Sequence, residues 1–432
     1  MVRPAEEYLE RSALTQLQWD RLRRLLAEIL PANPFYARKF AQAGVSPDAW
    51  TAPDDFLRVP FTTKAELLAE QANHPPYGQG LTYPLSRYCR LHQTSGTHSR
   101  PLYWLDTPES WNWILGCWEK IFRIIGLRPD DRLFFPFSFG PFLGFWAAFD
   151  AAARHGYCCL PGGGISSVAR LHFLLEHQVS VLFCTPTYAL RLAEVARQEG
   201  LELAQTPVRL IVVAGEPGGS IPATRRQIET TWGARVFDHS GMTEIGSLGI
   251  ECSENPTGLH LLETECWAEV IEPATGKPLP PGEMGEMVLT NLGRWGSPLL
   301  RYRTGDLVRI DPRPCPCGRS WVRLEGGILG RTDDMIYLRG NNLYPSALEA
   351  VIRRFEDVAE YRVEVDQKES LPVLRIAVEP LPSASANGLA ERISRAIRDE
   401  LLFRAEVTAV PAGSLPRFEM KARRIVSKGM GN

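Results

Sequence analysis

From about residue 110 to residue 233 the chain alternates helix-period segments with short, unbroken apolar runs, and this rhythm restricts the fold more than any other feature. A helix around Trp111 to Ile125 leads to the apolar run Leu133 to Phe137. A helix through Phe145 to His155 follows, then the run Tyr157 to Leu160. Val179 to Cys184, a helix over Tyr188 to Gln198 closed by Gly200, and Val208 to Ala214 continue the series, and Ser220 and Pro222 open a helix that Gly233 closes. Apolar runs this short, separated by helices, predict strands buried on both faces and hence a parallel α/β architecture.

The flanks differ. Leu14, Leu17, Leu22, Leu25, Leu26, Ile29 and Leu30 recur at helical spacing, so the chain opens on an amphipathic helix that stops near Pro31. From Trp267 to Val308, strand-like runs (Cys266 to Ile271, Met287 to Leu292) split by Gly and Pro turns predict a curved antiparallel sheet. After Gly330 to Asp334 comes a compact α+β pattern: strand Met335 to Leu338, helix Pro345 to Phe355, strands Tyr361 to Val365 and Leu374 to Val378, helix Leu389 to Leu401, and a short strand near Val407. The expected architecture is α/β: a large N-terminal domain, residues 1–330, of mainly parallel sheets plus a curved antiparallel one, and a small α+β C-terminal domain, residues 331–432.

With 432 residues, 44% of them hydrophobic, the chain can bury more than one core. A net charge of -2 with interspersed signs offers no basic stripe for nucleic acid or membrane, which leaves a small molecule as the expected partner. The N-terminus lacks the basic start and apolar run of a signal peptide, so the chain reads as cytoplasmic. Nine irregularly spaced cysteines do not form a disulfide framework and predict reduced thiols.

Four polar segments carry chemistry. In LHQTSGTHSRPLYW (91–104), the hydroxyls and backbone N–H groups of Thr94, Ser95, Gly96 and Thr97 suit a phosphate cradle, and equally a polar turn between strands. FDHSGMTEIG (237–246) follows a strand; its glycine permits close approach, and Thr243 with Glu244 can hold a phosphate oxygen and Mg²⁺. YRTGDL (302–307) offers Asp306, whose carboxylate can accept two bonds from vicinal ribose hydroxyls. GRTDDMIYLRG (330–340) adds Arg331 and two adjacent carboxylates at the domain junction. Each has a bland alternative: a surface carboxylate, a turn residue, an interdomain ion pair.

Taken in order, TSGT, AGEP (214–217), SGMTE, YRTGDL, GRTDD and a late lysine resemble the acyl-adenylate-forming superfamily of acyl-CoA synthetases, adenylation domains and luciferases. PANPFYARKF, VPFTTKAELL, CTPTYALRLAE, TGLHLLE and GRTDDMIYLRGNNLYPSALE are similar to its phenylacetate-CoA ligase branch, so the likeness spans nearly the whole chain. The resemblance implies ATP-dependent activation of a carboxylic acid to acyl-AMP and transfer to coenzyme A, with Mg²⁺ as cofactor. It places Thr94, Ser95, Gly96 and Thr97 on the phosphates, Glu244 at Mg²⁺, Asp306 on the ribose, Arg331 near ribose and phosphate, and Gly215, Glu216 and Pro217 near adenine. Asp238, Ser240, Gly241, Met242 and Thr243 complete the implied nucleotide-binding set.

By position in the motif series Lys421, within RFEMKARRIV (417–426), is the implied catalytic lysine, ahead of Lys428; the alternative is a solvated basic tail. The C-terminal domain would rotate about Asp333. By analogy with the family, Phe139 and Phe142, in the aromatic run 134–146, are nominated for an acyl pocket that suits an aryl or arylacetic acid, though such a run is more often core than pocket. A homodimer is expected only by analogy with the family.

A metal site is expected separately. CPCG places Cys315 and Cys317 on one tight turn, and CSENPTGLH supplies Cys252 and His260; three sulfurs and one imidazole match a closed structural zinc site. Two departures from the family also stand out. His98 and Ser99 replace a small-residue step over the phosphates, and Ser240 stands where relatives place an aromatic ring against adenine. Two rival functions follow: an adenylating enzyme that passes its acyl group to a carrier protein or an amine, and a nucleotide-binding relative without turnover.

Overall fold

The computed structural model describes residues 4–94, 100–338, 341–366, 373–382, 384 and 387–428. The chain forms two compact units, Met1–Gly164 with Phe237–Gly327, and Ile165–Val236 with Ile328–Asn432. Among the described residues no helix is long and apolar enough to cross a membrane.

In the first unit the opening helix, Arg11–Ile29, buries Leu14, Leu22, Leu25, Leu26 and Ile29 at helical spacing. Leu17 and Leu30, counted in the same stripe, lie half-buried at its margin. Trp19 and Gln18 fill the inward face instead, the Gln18 amide donating to the Cys266 carbonyl at 2.8 Å. The helix Pro108–Ile125 starts earlier than its apolar periodicity, because Thr107 accepts the Ser110 N–H and Pro108 occupies the first turn. Strands Arg132–Phe135 and Cys158–Pro161 run parallel, as expected for an α/β crossover, with the helix Leu143–Arg154 between them.

Strand Arg235–Met242 turns back into Gly246–Glu251, which pairs with Gly258–Leu261 and then Arg323–Glu325, all antiparallel. The expected curved sheet is present: Cys266–Ile271, Met284–Asn291 and Tyr302–Arg309 form antiparallel pairs, with a register shift between Glu286 and Val288. Such a bulge bends the bearing strand and increases its twist.

In the second unit the parallel strands Val181–Cys184 and Leu210–Ala214 are buried almost throughout, which explains their unbroken apolar sequence. Helices Ser167–Glu176, Pro186–Gln198 and Pro222–Trp232 belong with them, and Trp232 Nε1 donates to the Ala189 carbonyl at 3.1 Å. The C-terminal segment carries a sheet ordered Ala405–Ala409, Val373–Pro380, Val358–Asp366, Ile425–Lys428. Leu348, Val363, Val378, Leu389, Ile393 and Ile397 form its core.

The last strand is a correction to the basic-tail alternative. Ile425–Lys428 pairs parallel with Val358–Asp366, and Arg424 just before it is buried. A strand of four residues with two apolar ones carries almost no local signal; the partner edge supplied by the folded domain makes it a strand.

Candidate active site

In the chain the TSGT segment falls between Arg90–Gln93 and Tyr103–Asp106, two strands that pair antiparallel. Ser95, Gly96, Thr97, His98 and Ser99 lie outside the described residues. Thr94 is buried and closes the loop's base twice: its N–H donates to the Leu102 carbonyl at 3.0 Å, and its hydroxyl accepts the Leu102 N–H at 3.0 Å. The Gln93 N–H donates to the Pro141 carbonyl at 2.7 Å, tying this base to the aromatic run.

The SGMTE segment is a second hairpin end. Ser240 pairs with Gly249 and Gly241 with Ser247, with a bulge between Ser240 and Gly241. A Cβ at position 241 would meet the Gly246 carbonyl oxygen at 2.9 Å, so only glycine fits without a shift. The Asp238 N–H donates to Glu251 at 2.9 Å. Thr243 and Met242 are half-buried, whereas Glu244 is buried and accepts the Tyr302 hydroxyl at 3.2 Å.

Beneath this turn lies a group that the sequence did not mark. Arg294, fully buried, donates to both Asp106 oxygens at 2.7 and 2.6 Å and to the main-chain carbonyls of Thr243 and Glu244 at 2.6 and 3.1 Å. Burial opposes ionisation of Asp106, but the adjacent Arg294 charge overrides it and holds the carboxyl below the usual carboxylate range. On the strand Arg235–Met242, His239 donates through Nδ1 to the Gly249 carbonyl at 2.6 Å and packs on Trp118 at 4.6 Å. Burial pushes its pKa down to about 4, so its ring is neutral at pH 7.

Asp306 is buried on the strand Tyr302–Arg309, its N–H donating to Thr304 Oγ1 at 3.1 Å. Glu286, from the paired strand, accepts the Gly305 N–H at 3.2 Å and pairs with Arg303 at 2.9 Å, which fixes the RTGD turn. Phe139 and Phe142 are half-buried in a partly open aromatic group: Phe139 lies 4.9 Å from Trp146 and 5.1 Å from Phe149, and Phe142 5.9 Å from Phe145. Such edge and tilted contacts are packing in their own right.

Within the second unit Gly215, Glu216 and Lys421 come together. Gly215 has φ +94°, and a Cβ there would lie 3.2 Å from Lys421 Cε, so the lysine stem crosses the bare glycine backbone. Glu216 accepts the Thr187 N–H at 2.9 Å and the Ala422 N–H at 2.7 Å. Pro217 is exposed beside it. Farther along the same segment, Arg424 pairs with Glu360 at 2.7 and 3.0 Å and reaches the Thr187 hydroxyl at 3.2 Å. Arg331 grips Asp333 through both oxygens, at 2.8 and 3.0 Å.

The four expected metal ligands do converge. The ligand atoms of Cys252, His260, Cys315 and Cys317 all lie within 4.8 Å of one another, and all four residues are buried. His260 comes from strand Gly258–Leu261, while Cys315 and Cys317 sit on a turn closed by the Gly318 N–H donating to the Cys315 carbonyl at 3.1 Å. Sγ of Cys317 is 3.5 Å from His260 Nε2, and that of Cys315 is 3.6 Å from Cys252. Three sulfurs and a nitrogen packed this closely match the donor set that holds a tetrahedral divalent ion.

Residues 91–293 match the AMP-binding enzyme family, and residues 340–428 match the AMP-binding enzyme C-terminal domain. Over 99% of both chains, the protein is 33% identical to phenylacetate-coenzyme A ligase of Thermus thermophilus. The chain belongs to the AMP-binding enzymes, in their phenylacetate-CoA ligase branch. Similarity to this branch extends to the phenylacetate-coenzyme A ligase of Escherichia coli, 31% identical over 95% of this chain and 94% of that one. Among solved structures, this AMP-binding ligase resembles 2-hydroxyisobutyryl-CoA ligase in its postadenylation state with 2-HIB-AMP, at a TM-score of 0.94 and 30% identity over 99% of this chain and 94% of that one.

Proposed function

We propose that this ligase converts an aryl or arylacetic acid to its CoA thioester in two steps, with ATP cleaved to AMP and pyrophosphate. In the first step a carboxylate oxygen attacks the α-phosphorus of ATP and the bond to the β-phosphate breaks. In the second the CoA thiol, losing its proton, attacks the acyl carbonyl and AMP leaves. The barrier of the first step is electrostatic, because two anions must meet while charge builds on phosphate.

Lys421 is the residue for that problem: its ammonium bridges the attacking carboxylate and the α-phosphate. The observation that carries this reading is the lysine stem laid over Gly215 at the end of a buried parallel strand, where open α/β sheets hold their ligands. Glu244 would hold Mg²⁺, which neutralises phosphate charge when bound, and Asp306 would accept the ribose hydroxyls. Thr94, with the loop of Ser95, Gly96 and Thr97, would cradle the phosphates. Asp238, Ser240, Gly241, Met242 and Thr243 would line the nucleotide, together with Gly215, Pro217 and Arg331. Asp333 is proposed as the pivot of a C-terminal domain spanning 331–432, and Phe139 and Phe142 as walls of the acyl pocket. The Cys252, His260, Cys315 and Cys317 cluster is proposed to hold a structural zinc ion, with all four positions taken by protein and none left for a substrate.

Pyrophosphate release measured with a panel of carboxylic acids, with and without CoA, tests the reading. CoA-dependent thioester formation with arylacetates and AMP as co-product is the expected result. Pyrophosphate release that yields no CoA thioester would replace CoA with a carrier-protein or amine acceptor, and no release from any acid would make the chain a nucleotide binder.

A further inference from the structure

The Glu216 carboxylate is committed to two main-chain N–H groups from distant parts of the second unit. One oxygen takes Thr187 N–H at the start of helix Pro186–Gln198, and the other takes Ala422 N–H, one residue beyond Lys421. A carboxylate at a helix N-terminus is favoured by the exposed N–H groups and the dipole there, which fixes Glu216 in place. Its second oxygen then anchors the backbone that carries the lysine.

Three further residues hold the same stretch on either side. Arg417 pairs with Glu194 at 3.0 Å, Glu419 accepts from Arg170 at 3.1 Å and Ser167 at 3.2 Å, and Arg424 reaches Thr187. Of these contacts, the Glu216 bond is the one that lands on the residue next to Lys421, and Gly215, adjacent to Glu216, leaves room for the lysine stem.

From this geometry we infer that Glu216 is a positioning residue for Lys421, a latch that sets the lysine for acyl-AMP formation and contributes nothing to thioester formation. The inference rests on Lys421 acting in the first half-reaction. It differs from a nucleotide contact in what it predicts: a residue that touches adenine changes the KM for ATP, whereas one that aims the lysine changes kcat. Losing a charge-assisted hydrogen bond of this kind corresponds to roughly a tenfold to hundredfold drop in rate.

The test uses the full chain with ATP and the best acid of the panel, following pyrophosphate release, and separately the reaction of the preformed acyl-AMP with CoA. Glu216→Ala should lower kcat for pyrophosphate release by roughly tenfold or more, with the KM for ATP little changed and thioester formation from acyl-AMP intact. Glu216→Gln, which keeps one acceptor oxygen, should fall between Glu216→Ala and the unaltered chain. Intact thioester formation also shows that the variant has folded. A raised KM for ATP at unchanged kcat, or an equal loss in both half-reactions, would overturn the latch. Lys421→Ala run in parallel separates the two levels: if it keeps normal pyrophosphate release, the lysine assignment fails; if it abolishes release while Glu216→Ala leaves kcat unchanged, only the latch fails.

Discussion

Arg294 and Asp106 form a fully buried, bidentate ion pair at 2.7 and 2.6 Å, and the same guanidinium donates to the carbonyls of Thr243 and Glu244. A pair of this kind need not add net stability, but breaking it leaves one charge stranded without water. Asp106→Ala is therefore expected to destabilise the fold by about 3–5 kcal/mol, read by urea unfolding. Arg294→Lys, which keeps the charge but not the fork, should fold and loosen the turn bearing Glu244. Its expected signature is a raised Mg²⁺ requirement for pyrophosphate release at unchanged acid KM; a wild-type Mg²⁺ titration would remove Arg294 from the support of Glu244.

His239 predicts an acid-side loss of stability. Its pKa falls from 6.5 to about 4 on folding because burial penalises the imidazolium. A depressed folded pKa means that the unfolded chain binds the proton first, so the stability is full above pH 6.5 and declines as pH falls towards 4. The size is roughly 3 kcal/mol from one group. Chemical unfolding of the wild type and His239→Gln across that interval should show the shallower slope in the variant; parallel slopes would assign the acid sensitivity to other groups.

The cysteine and histidine cluster should bring about one zinc ion per chain through chelator-free purification. Metal analysis of the wild type and Cys317→Ser checks this. The variant should lose the ion and melt at a lower temperature, while its remaining folded fraction keeps the wild-type KM for ATP, since no coordination position is open to substrate. Wild-type protein without zinc would remove the site.

Gly215→Ala combines two penalties. Its φ of +94° is unfavourable for any side chain, and the new methyl would press on Lys421 Cε at 3.2 Å. Pyrophosphate release should fall by roughly tenfold or more, while acyl-AMP still reacts with CoA. If release is unchanged, the lysine does not use this path over the turn.

Much of the fold was legible because burial on two faces leaves a plain mark: Val181–Cys184 and Leu210–Ala214 are apolar without a break, and both are parallel strands. Helix Leu389–Leu401 and strand Cys266–Ile271 fall where their periodicity places them. Helix starts at Pro108 and Pro186 extended beyond the apolar pattern because Thr107 and Thr185 cap them, a signal carried by polar residues. Strand Ile425–Lys428 was hidden, since its two apolar residues sit among basic ones and its identity comes from the edge it joins.

The sequence by itself determined the residue types that the proposed chemistry requires and their order along the chain, including the three cysteines and one histidine of the candidate metal site. Tertiary structure decided which of them meet. Cys252 and His260 are brought to Cys315 and Cys317 by strand pairing across more than fifty residues. Arg294 became significant only when folding buried it against Asp106, because a charge has no distinguishing local pattern until water is removed from around it. For the same reason Glu216, one acidic residue in a turn, acquired a role only where the fold delivered the Ala422 N–H to its second oxygen.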